Sequence, residues 1–138
     1  MTAPEEDDIH YTTVRRWMDL NVKKLAPNEQ VLILEKAIHA IELRACMTLS
    51  SVTLMVVLDR VLCQTKEKFP VLSKAVLEKK SLSFKAVDKV QHAHETSEAL
   101  AFLLVELFRV LGRLTADILT LPLHKELMKV TSNDSGES

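Results

Sequence analysis

The sequence predicts an all-α protein, a helical bundle built around two long antiparallel helices. Apolar residues recur at steps of three and four over long stretches, the spacing of one face of a helix. The 138 residues include only two glycines and four prolines, which are too few for the many turns of a β-sheet protein. Hydrophobic residues make up 47% of the chain and charged residues 27%, the composition of a single globular domain.

A shorter N-terminal helix is predicted over residues 9–25. Its apolar stripe consists of Tyr11, Val14, Met18, Val22 and Leu25. Trp17 borders this stripe, where it either packs the helix onto the core or serves as an anchor for a partner. Pro27 cannot continue this helix but suits the first turn of the next one.

The two ends of the chain differ in composition from its middle. Residues 1–8 are rich in acids and are predicted to be a disordered leader, and the polar residues 131–138 a disordered tail. Residues 9–130 are then a single helical domain. The net charge of −1 gives no overall basic field that would attract nucleic acid or an acidic membrane.

The first long helix is predicted over residues 27–66, which contain no glycine and no proline after Pro27. Its main apolar seam consists of Val31, Leu34, Ile38, Ile41, Ala45, Thr48, Val52, Met55, Asp59 and Leu62. A second apolar stripe lies beside this seam, so several neighbours must cover the helix. Hydroxyl and β-branched residues around Ser50 and Ser51 leave open a kink or break at that point.

A short connecting helix over residues 70–80 and a second long helix over residues 84–121 complete the predicted bundle. The seam of the second long helix consists of Val90, Ala93, Ser97, Leu100, Leu104, Leu107, Leu111, Leu114, Ile118 and Leu121. Such unbroken spacing is typical of a coiled coil or a bundle. Gly112 interrupts the helix or allows a close approach of a neighbour, and Pro122 ends or kinks it.

The shorter helices cannot cover the apolar surface of two such long helices, which predicts a homodimer with a shared four-helix core. The residues assigned to the core or to this interface are Leu100, Leu104, Leu107, Leu111, Leu114, Ile118, Ile38, Ile41, Val52 and Met55. The alternative is a break near Ser50, which would fold the chain into a compact monomer of five or six helices.

The sequence offers no motif for catalysis or for a cofactor. With two glycines in the chain, phosphate-cradling loops are excluded, and no nucleophile motif is present. Histidine and glutamate fall one helical turn apart in three groups: Glu35, His39 and Glu42; His92 and Glu95; His94 and Glu98. The Glu-x-x-His pattern of dimetal bundles is missing, so these groups are interpreted as solvated helix faces and no metal is expected.

Two cysteines, Cys46 and Cys63, lie among apolar residues and are interpreted as small hydrophobic side chains of a reduced protein. No signal peptide is evident, and the longest uncharged run is too short to span a bilayer. We therefore expect an intracellular protein of the cytoplasm or nucleus, without a membrane span.

Lysines concentrate between residues 66 and 89, a segment that contains seven lysines and three acidic residues. Lys79, Lys80 and Lys85 cluster at a predicted helix junction, where a phosphate or an acidic partner could bind. Nucleic acid is the less favoured partner, because few aromatic residues accompany the lysines.

The segment "VELFRVLGRL" resembles the BH1 segment of Bcl-2-like proteins. The matching residues are Glu106, Leu107, Phe108, Arg109, Gly112 and Arg113. The Asn-Trp pair of that segment is missing here and the spacing is shorter. The resemblance implies a groove that binds an amphipathic helix of a partner.

We expect a non-enzymatic interaction or adaptor protein that self-associates and binds partner proteins through helix–helix packing. Two alternatives stay open. One is a compact helical domain with a groove for a partner's amphipathic helix, and the other is a nucleic-acid-associated protein that uses the lysines of residues 66–89.

Overall fold

Five α-helices and a β-hairpin make up residues 9–88 and 91–131, the part of the chain that the computed structural model describes. The elements in chain order are α1 (Ile9–Asn21), α2 (Pro27–Cys46), α3 (Ser51–Lys68), a 3₁₀ turn (Pro70–Leu72), β1 (Val76–Glu78), β2 (Ser81–Ser83), α4 (Ala93–Leu114) and α5 (Thr120–Met128). The prediction of an all-α bundle is confirmed. The predicted leader, Val90 and residues 132–138 of the predicted tail lie outside the described residues.

The leucine-rich helix α4 lies at the centre of the bundle. It packs against α1, α2, α3 and α5, so other helices surround it on most sides. Six of the predicted core or interface residues have no exposed surface: Ile38, Ile41, Leu100, Leu104, Leu107 and Leu111. The wide apolar surface of this segment therefore faces helices of its own chain.

The prediction of one continuous helix over residues 27–66 is wrong, because α2 ends at Cys46 and α3 begins at Ser51. Ser50 has an extended backbone with ψ of 158°, and its hydroxyl oxygen accepts a hydrogen bond from the Thr53 amide at 3.2 Å. This is the geometry of a helix N-cap. The local bonds that Ser50 makes as a cap outweigh continuation of the helix.

Replacing the cap tests its role in the break. We expect Ser50→Ala to lower the free energy of unfolding by about 1 kcal/mol, because one amide at the start of α3 loses its acceptor. Ser51→Ala is the matched control, since Ser51 is exposed and lies inside the helix. Urea denaturation measures both variants, and equal effects would contradict the assignment of Ser50 as the cap.

The bounds predicted for the second long helix, residues 84–121, are wrong at both ends. Residues 84–88, 91 and 92 are not helical, and α4 stops at Leu114. Ala116 and Asp117 then take left-handed backbone angles, with φ of 51° and 65°, which a continuing helix does not allow. Pro122 does not end a helix but lies in the first turn of α5, where its missing N–H costs nothing.

Gly112 lets this turn and α1 approach α4 closely. A Cβ atom at Gly112 would lie 3.0 Å from Asp117 Oδ1 and 3.2 Å from His10 Nε2. Both distances are shorter than ordinary van der Waals contact. A larger residue here would require these side chains to move by a few tenths of an ångström.

The connecting helix predicted over residues 70–80 is wrong as well. After the 3₁₀ turn, β1 and β2 form an antiparallel hairpin in which Leu77 pairs with Leu82. Its two-residue turn consists of Lys79 and Lys80, with φ of 54° and 67°. Such a turn usually contains Asn or Gly, so the lysines gave no sequence signal for a hairpin.

Helix α1 ends at Asn21, four residues before the predicted end at Leu25. Residues 22–25 form a turn, and the side-chain amide of Gln30 donates to the carbonyl oxygens of Val22 at 3.2 Å and Leu25 at 3.1 Å. Within the described ranges, no helix is both long enough and apolar enough to cross a membrane.

Candidate functional site

An open groove of about 480 Å³ lies between α1 and α4 and reaches the C-terminal end of α3. Its apolar lining consists of Val14, Met18, Phe69, Ala101, Phe102 and Val105. Along α4 it extends from Ser97 to Arg109, which is roughly 18 Å or three helical turns. A groove of this length and lining suits an elongated apolar ligand or one face of a helix.

The groove is open because two α4 side chains that line the half of it nearer the start of α4 are small. Ser97 and Ala101 lie one turn apart, and Ser97 turns its hydroxyl back to the His94 carbonyl oxygen at 2.9 Å. At one end, the rings of Phe69 and Phe102 pack with centroids 5.5 Å apart. The floor is therefore apolar, and it is partly exposed at Phe69, Ala101 and Phe102.

Positive side chains predominate on the rim of the groove. Arg15 lies over the Tyr11 ring at 5.4 Å and donates to its hydroxyl at 3.1 Å. Lys68 lies over the Phe102 ring at 4.8 Å. Arg109 also lines the groove, but its guanidinium is paired with Glu106, and the lining acid is Glu98. This rim favours a ligand that carries acidic groups beside its apolar face.

Two buried histidines hold α1, one wall of the groove, against α5. His10 Nδ1 lies 3.0 Å from His124 Nε2, so one ring donates to the other. The His124 ring also packs edge-on against Phe108, with centroids 5.1 Å apart, and Thr13 Oγ1 lies 3.4 Å from its Nδ1. Desolvation, with a smaller contribution from His10, lowers the pKa of His124 to about 4.

Because of this histidine pair, we expect the protein to lose stability in mild acid. The folded pKa of His124 lies below the unfolded value of 6.5, so its contribution is present above pH 6.5 and is lost as pH falls towards about 4. We expect a loss on the order of 1–2 kcal/mol, because partial hydration of the ring moderates the effect. Urea denaturation at a series of pH values measures it.

His124→Gln should flatten the stability profile between pH 6.5 and pH 4 relative to the wild type. His92→Gln is the matched control, since His92 is exposed and should leave the profile unchanged. If both variants follow the wild-type profile, His124 is not the titrating group.

The hairpin is anchored to α2 by two side chains that the sequence analysis placed on a solvated face. Glu42 accepts hydrogen bonds from the Ser81 hydroxyl at 2.6 Å and from the Leu82 amide at 3.0 Å. His39 Nε2 donates to the Leu82 carbonyl oxygen at 3.0 Å. The surface interpretation is wrong here, because the outward N–H and C=O of Leu82 require partners.

Burial raises the pKa of Glu42, although the hydrogen bonds from Ser81 and Leu82 and the nearby His39 act in the opposite direction. The two other groups of histidine and glutamate lie exposed: His92 is 3.1 Å from Glu95, and His94 is 3.5 Å from Glu98. Among residues 9–88 and 91–131, no three metal-ligating side chains come together.

The remaining predicted site residues lie on different surfaces. Trp17 is fully buried and its indole N–H donates to the Val130 carbonyl oxygen at 2.6 Å, so it packs α1 onto the core and is not exposed to a partner. Lys79, Lys80 and Lys85 are exposed, and the first two line a cleft beside α2. Four predicted core or interface residues are instead exposed at helix ends or in turns: Leu114, Ile118, Val52 and Met55.

Both cysteines are free and exposed, so their interpretation as small hydrophobic side chains packed among apolar residues is wrong. Cys46 lies in the last turn of α2, and its thiol donates to the Leu43 carbonyl oxygen at 3.1 Å. Cys63 lies on the outer face of α3.

Searches with the chain against protein-family models, curated proteins and solved structures find no match. Of the residues that resemble the BH1 segment, Arg109 lines the groove, whereas Leu107 and Phe108 are buried in the core. The case for a binding site therefore comes from the geometry of the groove itself.

Proposed function

We propose that this protein is a non-enzymatic interaction module that binds an amphipathic helix of a partner protein in the groove between α1 and α4. One observation carries the proposal: an apolar floor three helical turns long lies beneath a rim of cations. The partner helix would place apolar residues at positions i, i+3 or i+4, and i+7 on this floor.

Charge selects among partner helices. Arg15 and Lys68 lie on opposite walls of the groove, on α1 and at the end of α3. Acidic residues on both flanks of the partner's apolar face would meet these cations. We therefore expect a partner helix with Asp or Glu beside its apolar positions, and the rim to affect mainly the rate of association and specificity.

Self-association through the leucine seam has less support than the groove. The dimer was predicted because the long helices exposed more apolar surface than one chain could cover. Leu100, Leu104, Leu107 and Leu111 are instead enclosed by the chain's own helices. The reason for predicting a four-helix core shared by two copies therefore no longer applies to this seam. Self-association stays a prediction.

A display library of peptides of about 16 residues, long enough to span the groove, tests the proposal. Peptides are selected on the wild-type protein and rejected if they also bind Ala101→Arg. Ala101 is half-buried on the floor, so arginine there would block the groove. We expect enriched sequences with the helical apolar spacing and flanking acids.

Fluorescence anisotropy with an enriched peptide then compares variants. We expect Arg15→Glu combined with Lys68→Glu to weaken binding at least about tenfold. Lys23→Glu combined with Lys24→Glu is the matched charge control and Leu32→Arg the matched control for Ala101→Arg, because these three residues are exposed away from the groove. No enrichment, or equal binding to Ala101→Arg and Leu32→Arg, would refute the proposal.

A further inference from the structure

The corner where α2 meets α3 exposes apolar side chains. Leu43 and Met47 lie at the end of α2, and their exposed fractions are 68% and 76%. Val52 and Val56 lie in the first two turns of α3, with 71% and 64% exposed. We call these four residues the corner patch. Leu43 also lines a cleft beside the hairpin.

Cations flank the corner patch on both sides of α2. One cleft of about 410 Å³ lies between α2, the start of α3 and the hairpin tip, and another of about 330 Å³ lies between α2 and α5. Their lining cations are Arg44, Lys79, Lys80, Lys125 and Lys129.

The lining acids of these two clefts are Glu42 and Glu126. Both oxygens of Glu42 are bonded to the hairpin, and Glu126 lies 3.5 Å from Lys129. Both acids are thus already engaged within the chain. The surroundings of the corner patch are therefore positive although the whole chain has a net charge of −1.

The hairpin presents its two lysines from a fixed backbone. Lys79 and Lys80 both have positive φ, which costs a residue with a side chain on the order of 1 kcal/mol. The contacts of Glu42 and His39 with Leu82 hold the hairpin on α2 against this cost. Backbone strain that is maintained in an exposed turn points to a function for these two lysines.

We propose that the corner patch docks onto an anionic lipid surface. Leu43 and Met47 would enter the boundary between headgroups and acyl chains, while Lys79 and Lys80 contact the lipid phosphates and carboxylates. Exposed apolar side chains beside a cluster of cations are the combination that such surfaces bind. The corner patch shares no residue with the groove between α1 and α4, so this proposal does not depend on the proposed function.

Charge favours a lipid surface over a second copy of the chain. A two-fold interface at the corner patch would bring the lysines of one copy towards those of the other. Like charges at an interface oppose association. The high exposure of the corner patch favours lipid over a folded protein partner, because exposed apolar side chains can enter a bilayer without a complementary pocket.

The two native cysteines provide the test. Cys46 lies beside Leu43 and Met47, whereas Cys63 lies roughly 16 Å along α3 from Val52. A polarity-sensitive fluorophore is attached to Cys46 in the Cys63→Ser variant and to Cys63 in the Cys46→Ser variant. Vesicles of phosphatidylcholine with about 30% phosphatidylserine are compared with vesicles of phosphatidylcholine alone.

We expect a blue shift from the Cys46 label with the anionic vesicles, little shift with the neutral vesicles, and little shift from the Cys63 label. Lys79→Ala combined with Lys80→Ala should weaken vesicle binding roughly 25-fold, about fivefold for each lysine. Met47→Asp should weaken it as well. Lys24→Ala and Leu32→Asp are matched controls at exposed sites away from the corner patch, and circular dichroism verifies the fold of every variant.

Several outcomes would overturn the proposal. One is the absence of binding to anionic vesicles, and another is an equal response of the two labels. A dimer in solution that Met47→Asp converts to monomer would assign the corner patch to a second copy. Binding to polyglutamate but not to vesicles would assign the lysines to an acidic protein.

Discussion

Leu107→Asp should unfold the protein. Leu107 has no exposed surface and lies in α4, the helix that the other helices surround. The change removes a buried leucine and puts an unpaired carboxylate in its place, and together these cost more than about 5 kcal/mol. Total stabilities of small domains are about 5–15 kcal/mol, so little or no folded protein would be left.

Leu114→Asp is the matched control, because it makes the same change two turns later on the same predicted seam. Leu114 is half-exposed at the end of α4, so we expect the free energy of unfolding to change by less than about 1 kcal/mol. Far-UV circular dichroism measures whether each variant is folded, and gel filtration measures its oligomeric state. A folded, monomeric Leu107→Asp protein would instead place Leu107 at an interface between copies and contradict the described core.

Trp17→Ala should have the second largest effect, a loss of about 3–5 kcal/mol in the free energy of unfolding. The ring is fully buried between α1 and the rest of the bundle. Its indole N–H also donates to the Val130 carbonyl oxygen at 2.6 Å, which ties α1 to the chain beyond α5. Removing the ring leaves both a cavity and an unsatisfied carbonyl group.

Trp17→Phe separates these two contributions, because it keeps most of the apolar volume and removes only the donor. We expect it to lose about 1–2 kcal/mol. Urea denaturation followed by circular dichroism measures both variants, since the native tryptophan fluorescence is lost. A loss below about 1 kcal/mol for Trp17→Ala would mean that α1 is not fixed by this contact.

The helices that the sequence predicted best are those whose apolar residues keep one period. The stripe containing Val14 and Met18 indicated α1, and the leucines from 100 to 111 indicated α4. In both cases the local pattern and the tertiary packing agree, because the same residues favour the helix and face the core. The break at Ser50 was left open as an alternative, since an N-cap side chain contributes only about 1 kcal/mol to stability.

The hairpin and the turn after α4 could not be predicted from local signals. Lys79, Lys80, Ala116 and Asp117 take positive φ in place of the glycine expected at such positions. The hairpin depends on bonds from Leu82 to Glu42 and His39 across some forty positions. Contacts between residues so distant in sequence leave no periodic pattern.

The candidate site could not be predicted from the sequence for the same reason. The groove combines residues 11–18, 68–69 and 97–109, which no spacing rule connects. The His10–His124 pair joins residues 114 positions apart and was not singled out in the sequence. The resemblance to a BH1 segment implied a groove, but most of the matching side chains do not line the one described here.

An amide chemical-shift map of the protein titrated with a peptide from the display selection tests the helix-binding proposal most directly. We expect the largest shifts on α1 from Tyr11 to Met18 and on α4 from Ser97 to Arg109, with α2 little affected. Shifts centred on Leu43 and Met47, or spread evenly over the surface, would contradict binding in the groove.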